Sequence, residues 1–177
     1  MDYTTTIDSP LGTLLLVSDG TALTALLFGD TSGAEGLAGP CTADDEAAPF
    51  PQARREIGEY FAGQRKVFKI PLSPRGTPFQ QLVWQALQRI PHGATATYRD
   101  IARAVGSPGA VRAVGAANAR NPLAIVVPCH RVIGSDGTLT GYAGGLARKK
   151  ALLDLEAGDA GCFNPKRSRN SRDSSRA

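Results

Sequence analysis

Along most of this chain the apolar and polar positions recur with a clear period, and the period names the elements. Leu14-Leu15-Leu16-Val17, a turn at Ser18-Asp19-Gly20 and Ala22 to Phe28 read as a β-hairpin, because Asp-Gly supplies the positive φ angles of a tight reversal. Residues 29–49 are rich in Gly, Ala, Asp and Glu without a period, which predicts a loop carrying Cys41. Ala53, Ile57, Tyr60 and Phe61 share one face of a helix expected from about Pro51 to Ala62. Val67-Phe68-Lys69-Ile70 alternates as a strand does.

A break at Ser73-Pro74-Arg75-Gly76 separates this α/β unit from a more helical half. Thr77-Pro78-Phe79-Gln80 offers an N-cap, a proline at the first helical position and a capping-box glutamine. Phe79, Leu82, Val83, Ala86, Leu87 and Ile90 then form a core stripe, while Trp84 falls off it and is expected against the first unit. Pro91-His92-Gly93 ends the helix, with His92 solvated. Thr97 caps a helix from Tyr98 to Val105, Gly106 turns the chain, and Ser107-Pro108 opens a helix to about Arg120. Two short helices joined this way resemble a helix-turn-helix. The second is built from Gly109, Ala110, Ala113, Gly115, Ala116, Ala117 and Ala119. Such side chains suit tight helix packing, or they let the backbone approach a nucleic-acid groove with Arg112 projecting alone.

Leu123 to Val127 reads as a buried strand that Pro128 stops, placing the Cys129 thiol at a strand end beside His130 and Arg131. Cationic neighbours are expected to pull its pKa below the free value of roughly 8.5; the alternative is a buried structural cysteine. Gly134 to Gly137 is a turn, and Gly141-Tyr142-Ala143-Gly144-Gly145 a flexible lid with one aromatic. The last helix, Leu146 to Ala157, sets Leu152, Leu153 and Glu156 on one side. A carboxylate on an apolar face needs a partner, and His130 is the candidate.

Charge sharpens the division. Residues 1–75 carry 6 Lys/Arg against 10 Asp/Glu, residues 76–158 carry 9 against 4, and residues 159–177 carry 5 against 2. We therefore expect an N-terminal supporting domain (1–75), a basic, DNA-binding domain with the reactive cysteine (76–158) and a disordered basic tail (159–177). With this asymmetry the groove reading of the small-residue helix is favoured. Cys41, Cys129 and Cys162 are far apart and odd in number, which argues against a disulfide framework or a zinc site. No apolar run spans a bilayer and no export signal opens the chain, so a reduced cytoplasmic protein without membrane contact is expected.

The motifs Arg112-Ala113-Val114-Gly115, Asn121-Pro122, Pro128-Cys129-His130-Arg131-Val132 and Gly141-Tyr142-Ala143-Gly144-Gly145-Leu146, in this order between Thr77 and Gly158, resemble those of the O6-alkylguanine-DNA alkyltransferases. The first 75 residues match that family only in pattern. The resemblance implies an α+β protein: a small ribonuclease-H-like α/β domain followed by a mostly helical domain with a helix-turn-helix. It implies direct-reversal repair of double-stranded DNA by a monomer without metal or cofactor. O6-alkylguanine, with O4-alkylthymine as a second substrate, is flipped out and its alkyl group passes irreversibly to Cys129. His130 would act through a water with Glu156 behind it, Tyr98 would give the departing guanine a proton, and Asn121 would fix the turn around the cysteine. Arg112 would hold the place of the flipped base, with Ala113, Gly115, Ala119 and Tyr98 completing the DNA-facing surface. Val132, Tyr142, Ala143 and Gly144 would line the base pocket. Ala143 stands where some members carry a serine, so a backbone N–H is expected to serve the O6 atom. Asn118 is polar where some members are apolar. Three readings compete: a binding-only alkyltransferase-like protein, which would lack the acceptor cysteine; a cysteine hydrolase using Cys129, His130 and Glu156, which would need no DNA-binding helix; and a plain helix-turn-helix regulator, which would not need a thiol beside a histidine.

Overall fold

The computed structural model describes residues 1–31 and 40–158. The hairpin forms as its pattern predicts, from β2 (Leu14–Ser18) and β3 (Leu23–Phe28). Gly20 takes φ +94° and the Asp19 carboxylate accepts from the N–H groups of Thr21 and Ala22. Two strands of this sheet were not anticipated. β1 (Asp2–Ile7) pairs antiparallel with β2, and β4 (Cys41–Ala43) pairs parallel with β1, giving the sheet order β3-β2-β1-β4. Cys41 thus lies on an edge strand, half-buried, within a stretch expected to be loop. The sheet's Leu14, Leu16, Leu23, Leu26 and Phe28 share one core with Phe50, Ala53, Ile57, Tyr60 and Phe61 of α1 (Phe50–Phe61).

Val67 to Ile70 is not a strand. The Lys69 N–H donates to the buried Glu56 carboxylate at 2.7 Å, so a side chain takes the donor that a neighbouring strand would have used. Pairing occurs only further on: Leu23 N–H donates to Pro71 O at 2.9 Å and Ser73 N–H to Leu23 O at 2.8 Å. The same edge of β3 continues with Leu26 N–H to Pro122 O at 2.8 Å and Ala124 N–H to Leu26 O at 2.9 Å. The segment leading to Cys129 is therefore clamped to the N-terminal sheet by its backbone.

The second half opens with α2 (Pro78–Leu87), whose Thr77/Gln80 capping box forms. β5 (Ala96–Thr97), α3 (Tyr98–Ala104), α4 (Val111–Ala119), β6 (Val132–Ile133) and α5 (Leu146–Glu156) follow. Thr97 and Asp100 make a second capping box, and β5 pairs parallel with β6. The Trp84 indole N–H donates to Ala117 O at 2.9 Å and fastens α2 to α4. Leu82, assigned to the core stripe, is half exposed. His92 is half-buried, edge-on to the Tyr60 ring at 6.1 Å, rather than solvated. The helix α4 starts at Val111, three residues after Pro108, because residues 107–110 form a turn closed by Ala110 N–H to Ser107 O. These elements make an α+β fold with an N-terminal sheet and a helical second half. The expected tail, 159–177 with Cys162, lies outside the described residues. No helix among the described residues is long and apolar enough to cross a membrane.

Candidate active site

Only Leu123 and Ala124 of the expected strand pair with β3. The chain then turns at Ile125, a β-branched residue at φ +71°, a conformation that costs on the order of 1–3 kcal/mol and needs outside support. Asn121 supplies it: its side-chain N–H donates to Val127 O at 2.8 Å, and its Oδ1 accepts from Leu123 N–H at 3.0 Å. The turn delivers Cys129 to the start of a 3-10 turn, Cys129–Arg131, not to a strand end.

Behind the thiol, Glu156 is the hub of a buried network. Its Oε1 accepts from His130 Nε2 at 2.8 Å, Tyr60 OH at 2.7 Å and Arg131 Nη2 at 2.9 Å. Its Oε2 accepts from Arg131 Nε at 2.8 Å. Burial pushes this carboxyl up, but the hydrogen bonds from His130 and Arg131 and the Arg131 charge together win and hold it well below the usual carboxylate range. Burial lowers the His130 pKa, so the imidazole is neutral at rest. A neutral ring that donates from Nε2 to Glu156 keeps a lone pair on Nδ1.

The thiol itself corrects an expectation. Burial raises the Cys129 pKa, and the opposing Asn121 hydrogen bond, Lys149 charge and backbone N–H groups of Cys129 and His130 do not overcome it. Desolvation wins because the cation nearest in sequence, Arg131, is spent on Glu156, and the adjacent imidazole is uncharged. The resting pair is thiol and neutral imidazole, which requires proton transfer at the moment of attack.

Cys129 opens into a narrow cavity of about 20 Å³, room for about one water. Asn118, Ala119, Asn121, Tyr142, Ala143 and Gly144 line it, with Phe28 from the N-terminal sheet. A methyl at Gly144 would stand 2.8 Å from the Phe28 ring and 2.9 Å from the Tyr142 ring, so only glycine lets the 141–145 loop close this tightly. Val132, expected in the lining, is wholly buried and outside it; its carbonyl accepts from Lys149 Nζ at 2.5 Å. Tyr98 also lies outside the lining, its hydroxyl 3.3 Å from Thr140 O and from Thr140 Oγ1 beside the loop. Three buried side-chain atoms among the described residues have no hydrogen-bond partner: Asn118 Oδ1, His130 Nδ1 and Tyr142 OH. Two belong to residues lining the cavity and the third to the neighbour of Cys129.

On α4, Val114, Ala117 and Asn118 face the core, whereas Arg112, Ala113, Ala116 and Ala119 are exposed and Gly115 is half-buried. A methyl added at Gly115 would meet nothing closer than a Tyr98 ring atom at 4.0 Å, and one at Gly109 nothing within 4 Å. The small residues on this outer face therefore do not serve tight helix packing.

Three contributors escaped the sequence reading. Tyr60 and the bidentate Arg131 complete the Glu156 network. Lys149, fully buried, bridges Val132 O and Thr140 O and so ties β6 to the approach of the loop. Its position was readable, since Lys149, Leu152 and Glu156 share one helical stripe; Leu153, assigned to that face, is only half-buried. Tyr60 could be placed in the core, but its partner 96 residues away could not be foreseen.

A family model described as the 6-O-methylguanine DNA methyltransferase ribonuclease-like domain matches residues 3–74, and one described as the DNA-binding domain of the same protein matches residues 78–158. The constitutive methylated-DNA–protein-cysteine methyltransferase of Bacillus subtilis is 49% identical over 158 residues, 88% of this chain and 96% of the relative. The methylated-DNA–protein-cysteine methyltransferase of Mycobacterium leprae is 49% identical over 156 residues, covering 88% and 93%. The crystal structure of Mycobacterium tuberculosis OGT in complex with DNA superposes with a TM-score of 0.81 at 48% identity, covering 88% of this chain and 92% of that one.

Proposed function

The chain belongs to the 6-O-methylguanine DNA methyltransferase family, and from that premise we propose that it repairs alkylated double-stranded DNA by moving the alkyl group from guanine O6 to Cys129. The observation that carries this reading is the run of α4. Arg112 stands exposed near its start, and Ala119 at its end lines the cavity of Cys129. Seven residues of helix span about 10 Å. One short element thus joins a surface suited to a DNA groove with the thiol, and Arg112 is positioned to fill the stack as the base leaves it.

The chemistry follows from the resting protonation. His130 Nδ1 takes the thiol proton through a water, and the imidazolium is stabilised by the Glu156 carboxylate. The thiolate attacks the alkyl carbon; a C–S bond forms, the C–O6 bond breaks, and its electron pair stays with guanine. Tyr98 donates the proton that neutralises the departing base, and the proton from the thiol finally replaces it. Alkylthymine is a second substrate of the same displacement. The 141–145 loop must open for the base, since the cavity at rest holds about one water. A thioether has no good leaving group, so each molecule acts once. We place this reaction in the cytoplasm, where thiols stay reduced.

Intact-mass measurement after mixing with duplex DNA containing O6-methylguanine tests this. One methyl per protein, on the peptide containing Cys129, is expected, with Cys129→Ser binding DNA and gaining no mass. Clearance of excess damaged DNA by substoichiometric protein would instead indicate a turning-over enzyme.

A further inference from the structure

Tyr98, which gives the departing base its proton, is held by one residue. Its hydroxyl donates to Thr140 O at 3.3 Å and accepts from the Thr140 hydroxyl, also at 3.3 Å; among the described residues these are its hydrogen bonds. Thr140 is fixed in turn, because its carbonyl also accepts from the buried Lys149 ammonium at 2.8 Å. It stands immediately before Gly141, the first residue of the loop that lines the Cys129 cavity. On its other side the Tyr98 ring faces α4, where a methyl at Gly115 would lie 4.0 Å from it. Thr140 is exposed at rest, and both bonds are long, as catalytic hydrogen bonds often are before substrate tightens them.

The two bonds respond oppositely to proton transfer. A phenol has one proton, and at rest it points at Thr140 O. When that proton passes to the departing guanine, the oxygen becomes a phenolate, which a carbonyl repels and a hydroxyl donor stabilises. A hydrogen bond to such an anion is roughly twice as strong as one between neutral groups. The Thr140 hydroxyl therefore binds the reacting state more tightly than the resting one, which is the condition for raising a rate. We propose that Thr140 is a positioning residue for alkyl transfer. Its hydroxyl holds the Tyr98 oxygen and donates to the phenolate until the thiol's proton replaces the one lost. This rests on the repair reading above.

The test is a double-mutant cycle on single-turnover methyl transfer from duplex DNA containing O6-methylguanine, at saturating duplex so that DNA affinity does not enter. Thr140→Val, similar in shape but without the hydroxyl, should slow transfer about three- to tenfold. Thr140→Ser, which keeps the hydroxyl, should restore most of the rate. In a Tyr98→Phe background, where no phenolate forms, adding Thr140→Val should change the rate by less than about twofold. A residue that merely packs the loop would slow both backgrounds alike. Equal slowing in the two backgrounds, no slowing beside Tyr98, or a serine variant no faster than the valine one would overturn the assignment while leaving repair intact. Tyr98→Phe as fast as the wild-type protein would remove the acid and this assignment with it. Failure of the wild-type protein to gain a methyl would instead overturn the repair reading.

Discussion

Glu156→Gln is the most informative perturbation of the relay. The substitution keeps shape and removes charge at a carboxylate that accepts four hydrogen bonds, two of them from Arg131. If the amide oxygen occupies the Oε1 place, its NH2 faces the Arg131 Nε–H, donor against donor, where 2.8 Å now separates an ion pair. In the opposite orientation, the donors of Tyr60, His130 and Arg131 Nη2 all lose their acceptor. Either way, a guanidinium that is 6% exposed loses one of its two hydrogen bonds to this side chain together with its counter-charge, and keeps Ile90 O. Breaking one side of a buried pair costs about 3–5 kcal/mol, which for a chain of this size lowers Tm by roughly 6–20 °C. The reaction should suffer separately, because the imidazolium formed when His130 takes the thiol proton loses its counter-charge. The loss should fall within the roughly 10²–10⁴-fold that positioned acid–base catalysis contributes, and the pH–rate profile should move to higher pH. Both are measurable: thermal or urea unfolding for stability, and methyl or benzyl gain at Cys129 by mass spectrometry across pH, below the unfolding transition. An unchanged pH profile would remove Glu156 from the relay, and a stability change under about 1 kcal/mol would refute the buried-pair account.

Tyr60→Phe deletes one hydrogen bond to Glu156 and leaves every charge in place; it should cost about 1–2 kcal/mol in urea unfolding and slow transfer far less than Glu156→Gln does. Arg112→Ala should slow repair of duplex DNA much more than reaction with free O6-benzylguanine, because it removes the side chain that replaces the base and not the chemistry; equal losses on both would deny it that role. Stability should fall on acidification. The folded-state pKa values of His130 and Glu156 both lie below their ordinary values, so the stability they contribute is present above the unfolded values of about 6.5 and 4.3 and is lost as the pH drops toward the folded ones. Calorimetry should show a level Tm from about pH 7 to about pH 8 and a decline on acidification; a Tm rising from pH 7 to 5 would contradict the neutral imidazole.

The amino-acid sequence by itself determined what depends on neighbours within a few positions. The Asp19-Gly20 hairpin, the capping boxes at Thr77 and Thr97, the helix stop at Asn121-Pro122 and the order of the reactive motifs are all local, so composition and spacing suffice to read them. Glu156 was also legible as a buried carboxylate needing a partner, since helical period alone puts it beside Leu152. Tertiary structure decided the rest. Val67 to Ile70 alternates like a strand, yet Glu56 from α1 takes its backbone donor. Leu123 to Val127 is apolar enough for a strand, but only two residues meet the free edge of β3 before Asn121 pulls the chain into the Ile125 turn. The protonation of Cys129 was misread for the same reason. Sequence adjacency counts Arg131 as a cation beside the thiol, whereas folding spends that charge on Glu156, keeps His130 neutral and lets desolvation set the thiol's pKa. Hydrophobic period and capping are properties of a segment; charge pairing and burial belong to the segments that meet in space.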